Sequence, residues 1–330
     1  MQEKETVMTF GDEEIAYFLD RYDEPRSIHC HEILGTVADE QSAFQHIQIF
    51  DTVKHGRALV LDGFPQISER DGWLYTEAMA LPAVLAHKTP LHVLILGGGD
   101  GAAASFCTRD PRILSVTIVD LDTLVVELTQ KHIPSLWTTV LDKRRGGLLR
   151  IHGEDALDFL NRDRFFYDII VSDITDPNEG ESAAHLLTPE FFARVRTRLL
   201  PNGILAMQSG EYSSDTKTAH GGLLNLVSQN FAYHLTGAMH IPWFSADWSF
   251  TFARNDKPLP DFPNIFVTNQ LFKKNRELVS RLRALTRGKV TAMFAKTETD
   301  SPLEPGYKSR TCFTVGAKGL DHLDSNSPSR

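Results

Sequence analysis

Residues Leu91 to Phe106 read LHVLILGGGDGAAASF. An almost unbroken apolar run enters four glycines grouped around Asp100, and a row of alanines follows. A short apolar run of this kind is a strand buried on both faces, and the small residues after it begin a helix. Glycines between the two let the backbone turn tightly and approach a ligand closely.

The same alternation continues downstream. SVTIVDLD (Ser115–Asp122) is a second strand and DTLVVELTQKHI (Asp122–Ile133) a second helix. LLRIHGEDALDFL (Leu148–Leu160) supplies a third pair, YDIIVSD (Tyr167–Asp173) a fourth strand, and ILAMQSG (Ile204–Gly210) a fifth. Between the last two, TPEFFARVRTRLLPNG (Thr188–Gly203) reads as a helix closed by proline and glycine. Strands alternating with helices imply right-handed crossovers and a doubly wound, mostly parallel sheet of the α/β class.

Upstream the period is that of strands. FQHIQIFDTV (Phe44–Val53) and RALVLDG (Arg57–Gly63) make a hairpin, followed by a helical pattern in WLYTEAMALPAVLAH (Trp73–His87) with Pro82 inside it. This predicts an N-terminal β-hairpin domain over 1–75 and a Rossmann-like domain over 76–330. Its C-terminal extension contains one helix at NQLFKKNRELVSRLRALT (Asn269–Thr286).

The 330 residues are 42% hydrophobic and 23% charged, with a formal net charge of −9. That is an ordinary globular balance, in a chain long enough for a large core. No run of about 18 apolar residues is present and the first ten residues are charged, so neither a membrane span nor a secretory signal is expected, and the predicted location is cytoplasmic. The acidic balance disfavours a nucleic-acid partner. Cys30, Cys107 and Cys312 are distant and odd in number, which predicts buried free thiols and no cysteine metal pair.

In an open α/β sheet the ligand lies beyond the carboxyl ends of the strands. Each predicted strand ends there in a polar motif: GGGDG, DLD, GED, SDITDP and QSG. Asp120, about 20 residues after the glycines, is placed to accept ribose hydroxyls, so the ligand is expected to be a nucleoside. Asp100 inside the glycine loop repels a pyrophosphate and favours a cationic, adenosyl sulfonium donor. Asp155 and Ala156 fall where a strand end meets an adenine amino group, with an N-cap as the competing reading of Asp155. Asp173 and Asp176 lack a nearby His or Cys for a metal. Asp176 before Pro177 is read either as a turn residue or as part of an amine pocket, whereas Asp173 ends an apolar strand, where its pKa is open to tuning.

ALVLDGFPQISERDGWLYTEAM (Ala58–Met79), LILGGGDG (Leu94–Gly101), VDLD (Val119–Asp122) and DIIVSDITDP (Asp168–Pro177) together resemble the spermidine synthase family, over about residues 44 to 252. Within it, DPNEG, LLTPEFF and HIPWFSADWSF are most similar to thermospermine synthases. The resemblance implies an S-adenosylmethionine-type Rossmann fold and aminopropyl transfer from decarboxylated S-adenosylmethionine to a polyamine. The nucleoside is then a co-substrate, with no permanently bound cofactor and no metal, and the assembly is a homodimer or homotetramer. It implies Asp173 as base, Asp176 and Tyr75 positioning the amine, and Asp100 meeting the aminopropyl nitrogen. Gln45, Gly97, Gly99, Asp120, Asp155 and Ala156 are implied at the nucleoside, and Gln208, Phe244 and Trp248 on the acceptor side. Thr76, Ala156 and Phe244 depart from the family's common residues. Methyl or aminocarboxypropyl transfer from ordinary S-adenosylmethionine, and non-catalytic binding of a polyamine or nucleoside, are the alternative functions.

Overall fold

A computed structural model describes residues 6–10, 13–21, 28–137, 148–174, 186–212, 219–296 and 312–313. Strands β1 (Thr6–Phe10), β2 (Glu13–Arg21), β3 (Ile28–Gln41), β4 (His46–Thr52), β5 (Gly56–Leu61) and β6 (Phe64–Ser68) form an antiparallel sheet in sequential order. The alternation in β4 and β5 turns Ile47, Ile49 and Leu59 onto one face. There they pack with Ala102, Val125, Leu128 and Leu136 of the following layer. This contact holds the N-terminal sheet beside the mouth of the glycine loop.

Helix α1 (Gly72–Ala86) is apolar all round and nearly all of it is buried, as a helix between two layers must be. The alternation predicted from the sequence then follows: β7 (His92–Gly97), α2 (Ala102–Cys107), β8 (Ser115–Asp120), α3 (Thr123–His132), β9 (Leu148–Gly153), α4 (Ala156–Arg162), β10 (Tyr167–Asp173), α5 (Pro189–Arg198), β11 (Leu199–Glu211) and α6 (Ala219–Asn230). Two strands not read from the sequence, β12 (Tyr233–Ile241) and β13 (Ala246–Arg254), extend one side antiparallel. The sheet order is β12-β13-β11-β10-β7-β8-β9, with parallel pairing from β11 through to β9. The chain leaves β7 in one direction to β8 and β9, then returns to β10 on its other side. The switch point therefore lies at the carboxyl ends of β7 and β10, where Gly97 pairs with Asp173.

Three expectations are corrected. The Leu199–Gly203 stretch that was to close α5 belongs to β11, which starts at Leu199. The single C-terminal helix expected over Asn269–Thr286 is replaced by α7 (Ile265–Lys274) and α8 (Arg276–Val279), and a separate α9 (Arg287–Met293) follows beyond it. Cys30 is exposed, whereas Cys107 is buried and its thiol is pushed up to about 12 by burial.

The break after α8 has a specific cause. Glu77, on α1 and fully buried, accepts the backbone N–H groups of Arg283, Ala284 and Leu285 at 2.6, 2.8 and 2.7 Å. Arg109 stands 3.4 Å from the same carboxylate. The guanidinium groups of Arg109 and Arg283 lie 4.1 and 4.0 Å from the ring centroid of Trp73. Substituting Glu77→Ala strands three amides and a buried guanidinium, so we expect a loss of about 3–5 kcal/mol in urea unfolding, whereas an exposed acid such as Glu277 costs under about 1 kcal/mol.

Among the described residues no helix is long and apolar enough to cross a membrane.

Candidate active site

One cleft opens at the switch point. Gly97, Gly98, Gly99 and Asp100 after β7, Asp120 and Asp122 after β8, Asp155 and Ala156 after β9, and Asp173 and Ile174 after β10 line it. Gln45, Leu59, Leu61 and Gln66 of the N-terminal sheet close one side, and Tyr75, Gln208, Phe244 and Trp248 the other. Every residue given a site role from the sequence lines this cleft except Asp176, which lies outside the described residues, as do Pro177 to Ser182. Phe44, Gln66, Leu121, Asp122 and Leu186 also line it and were not singled out. Asp122 was legible as the second acid of DLD.

The glycine loop fits its surroundings closely. Gly97 has φ +76°, and a Cβ there would stand 2.2 Å from the Asp173 carbonyl oxygen. Gly101 has φ +82°, and a Cβ there would strike the Trp137 ring at 2.3 Å. Both conformation and space exclude a side chain at these two positions. The Asp120 carboxylate accepts the Gly99 N–H at 2.8 Å and the Asp122 N–H at 2.9 Å, so it ties the ends of β7 and β8 together. Asp122 in turn caps α3 and accepts from Ser42 Oγ at 2.7 Å and Gln45 Nε2 at 3.0 Å. Asp155 does cap α4, accepting from Leu157 and Asp158, while also lining the cleft.

Asp173 stands at the centre. The Tyr75 hydroxyl donates to its Oδ1 at 2.7 Å. Burial raises its carboxyl to about 7, the negative charges of Asp100 and Asp120 add to this, and the tyrosine hydrogen bond opposes it. Burial likewise raises Asp100 to about 6, against the Ala102 amide that its carboxylate accepts at 2.7 Å. Asp120 is raised by burial too, against the amides of Asp122 and Gly99. Carboxylates held this way are starved of positive charge. Asp100, Asp120, Asp122, Asp155 and Asp173 line the cleft, and no Lys, Arg or His does so among the described residues. Nor does any group of three or more His, Cys, Asp or Glu among them suit a metal ion.

The wall beyond Asp173 is aromatic. Tyr75 meets Phe244 edge-on at 5.6 Å between centroids, and Phe244 lies 4.7 Å from Trp248. The turn carrying Phe244 is fastened to the start of α1, because Asp71 accepts the Trp243 N–H at 2.7 Å and its carbonyl accepts the Leu74 N–H at 2.8 Å. Thr76 is outside the cleft lining, and its hydroxyl donates to the Gly72 carbonyl within the helix.

The sequence model of the spermine/spermidine synthase domain matches residues 73–264, more than half the chain and all of the cleft except its N-terminal wall. The chain belongs to this family. Residues 17–69 match the spermidine synthase tetramerisation domain, which supports assembly into an oligomer. The polyamine aminopropyltransferase 2 of Pseudomonas aeruginosa is 31% identical over 70% of this chain, which spans 65% of that protein's length. A polyamine aminopropyltransferase of Pyrobaculum aerophilum is 35% identical, covering 62% of this chain and 70% of its own. The thermospermine synthase ACAULIS5 of Arabidopsis thaliana is 33% identical over 64% of this chain and 62% of its own. The fold is shared with a spermidine synthase solved with the transition-state analogue AdoDATO (TM-score 0.75, 22% identity, 89% of this chain and 95% of that one).

Proposed function

We propose that this protein is a polyamine aminopropyltransferase, transferring the three-carbon amine of decarboxylated S-adenosylmethionine to a polyamine nitrogen. The observation that carries the reading is a cleft lined by five carboxylates and no cation among the described residues. A sulfonium and an ammonium on one small donor supply the positive charge that these groups lack.

In this reading Asp120, Asp155 and Gln45 hold the nucleoside, Gly97, Gly99 and Ala156 leave room for it, and Asp100 faces the aminopropyl nitrogen. The acceptor amine lies against Asp173 and Tyr75, between the cleft floor and the wall of Phe244 and Trp248, with Asp176 as a further cation holder. Its nitrogen lone pair forms a bond to the methylene carbon beside sulfur. The carbon–sulfur bond breaks, its electron pair stays on sulfur, and neutral methylthioadenosine leaves. Asp173 accepts the proton that the amine loses. The positive charge of the bound donor favours the ionised carboxylate, so the base is set for use when the donor is in place. The leaving group is already activated, and the residues need only align the amine and free its lone pair. Phe244 contributes an apolar face, so an acceptor is gripped there along its methylenes rather than by a hydrogen bond.

The N-terminal sheet is assigned to a separate assembly domain, with a homodimer or homotetramer as the working unit, and the enzyme to the cytoplasm. The reading is tested by incubating the protein with decarboxylated S-adenosylmethionine and a panel of diamines and triamines. Amine-dependent release of methylthioadenosine is expected. Binding of both compounds without product over long incubation contradicts it and favours a binding protein.

A further inference from the structure

Gln208 lines the cleft and faces the proposed acceptor, yet the residue is only 5% exposed and its carboxamide is bonded inside the protein. Its Nε2 donates to the carbonyl of Ile174 at 2.6 Å. Its Oε1 accepts the Gly210 N–H at 2.8 Å and the Trp248 indole N–H at 3.2 Å. The orientation of the amide is fixed by these partners, since turning it over would set N–H against two N–H donors and oxygen against a carbonyl.

The backbone is shaped to make these bonds. The register between β11 and β13 shifts between Gln208 and Glu211, and Gly210 takes φ +78° within that irregularity. Such a bulge removes a residue from the regular ladder and re-aims what it carries, here the Gly210 N–H. The Ile174 carbonyl it helps to hold belongs to the residue directly after Asp173. On the other side the Asp173 carbonyl is packed against Gly97, where not even a Cβ fits. The Asp173 backbone is therefore gripped from both sides, and the Tyr75 hydroxyl fixes its side chain.

The polarity of the remaining valence decides the role. A carboxamide oxygen has two lone pairs, and both are occupied by Gly210 and Trp248. Only one Nε2 hydrogen is left, a donor that repels an ammonium and offers its protons no acceptor. We propose that Gln208 is a positioning residue, tying the end of β10 to Gly210 and Trp248 so that the Asp173 carboxylate stands in line with the acceptor amine, and that it is not an amine ligand. The inference rests on the aminopropyl-transfer reading of the cleft.

The test compares wild type with Gln208→Glu and Gln208→Met in steady-state turnover of decarboxylated S-adenosylmethionine with the best triamine. Glutamate keeps two acceptors for Gly210 and Trp248 but sets oxygen against the Ile174 carbonyl, and methionine keeps the shape without the bonds. Displacing a reacting group by a fraction of an ångström to an ångström costs up to about 100-fold. We therefore expect kcat to fall by roughly tenfold or more in both, with the acceptor KM within about twofold and donor affinity retained. A direct amine ligand gives the opposite partition: kcat is kept, KM rises with methionine, and KM falls with the added negative charge of glutamate. That result overturns the proposal, as does wild-type kcat in both folded variants. If thermal melting shows that Gln208→Glu does not fold, Gln208→Met reads the same partition. Methylthioadenosine release by the wild type tests the underlying reading separately.

Discussion

Asp173→Asn is expected to lower turnover by about 10²–10⁴-fold, the range that a positioned general base supplies, while donor binding is retained. Asparagine keeps an oxygen for the Tyr75 hydroxyl, so the geometry survives and only the proton acceptor is lost. In the wild type the free-enzyme carboxyl is raised to about 7 by burial and by Asp100 and Asp120. Accordingly kcat/KM rises with pH through that region, and any residual activity of the variant loses that inflection. Stability moves the other way. Between the ordinary carboxyl pKa of 3.8 and about 7 the folded protein holds a proton that the unfolded chain has released. The folded state then binds more protons than the unfolded one, so the stability of the ligand-free wild type falls as pH rises through this window. Ligand-free Asp173→Asn should therefore melt above the wild type at pH 8, with the gap narrowing as pH falls and closing only below the ordinary carboxyl pKa of 3.8, a trade of stability for function. Equal melting points at pH 8 together with normal turnover would remove Asp173 from its role.

The second large effect is donor discrimination. Ordinary S-adenosylmethionine carries a carboxylate on the carbon that bears the amine. Brought within about 5 Å of one floor carboxylate, it meets about 3 kcal/mol of repulsion at an effective dielectric of 20. That is a factor of roughly 10² in affinity. No described residue of the lining supplies a compensating cation. Calorimetric titration with the two donors should show this gap, and Asp100→Asn should narrow it, mainly by weakening the decarboxylated donor and relieving the carboxylated one. Equal affinity for both donors in the wild type would show that the acidic floor does not select between them.

Much of this was legible in the sequence because the strands at the switch point are short, apolar and buried on both faces. Their polar ends, GGGDG, DLD, GED and SD, each contribute residues to one cleft. Strands β12 and β13 escaped for a physical reason: Ser and Thr interrupt their apolar pattern. In the fold those hydroxyls satisfy one another, with Ser209 bonded to Ser249 and Thr251, and Thr236 to Thr251, all buried. The C-terminal helix was overextended because its periodicity runs through residues 281–285. The partner that takes those amides away from a helix is Glu77, about 200 positions earlier, which no local pattern encodes. The role of Gln208 was hidden in the same way. From sequence it is a polar side chain facing a substrate, and only its three internal bonds show where its polarity is directed.

The central claim is that an acid-lined cleft takes a cationic donor and passes on its aminopropyl group. It is tested most directly by giving the protein both donors at equal concentration with a triamine and identifying every product by mass spectrometry. The account predicts methylthioadenosine and an amine heavier by one aminopropyl group, formed from the decarboxylated donor alone. Accumulation of S-adenosylhomocysteine with a methylated amine, or methylthioadenosine formed with an aminocarboxypropyl adduct, would contradict it.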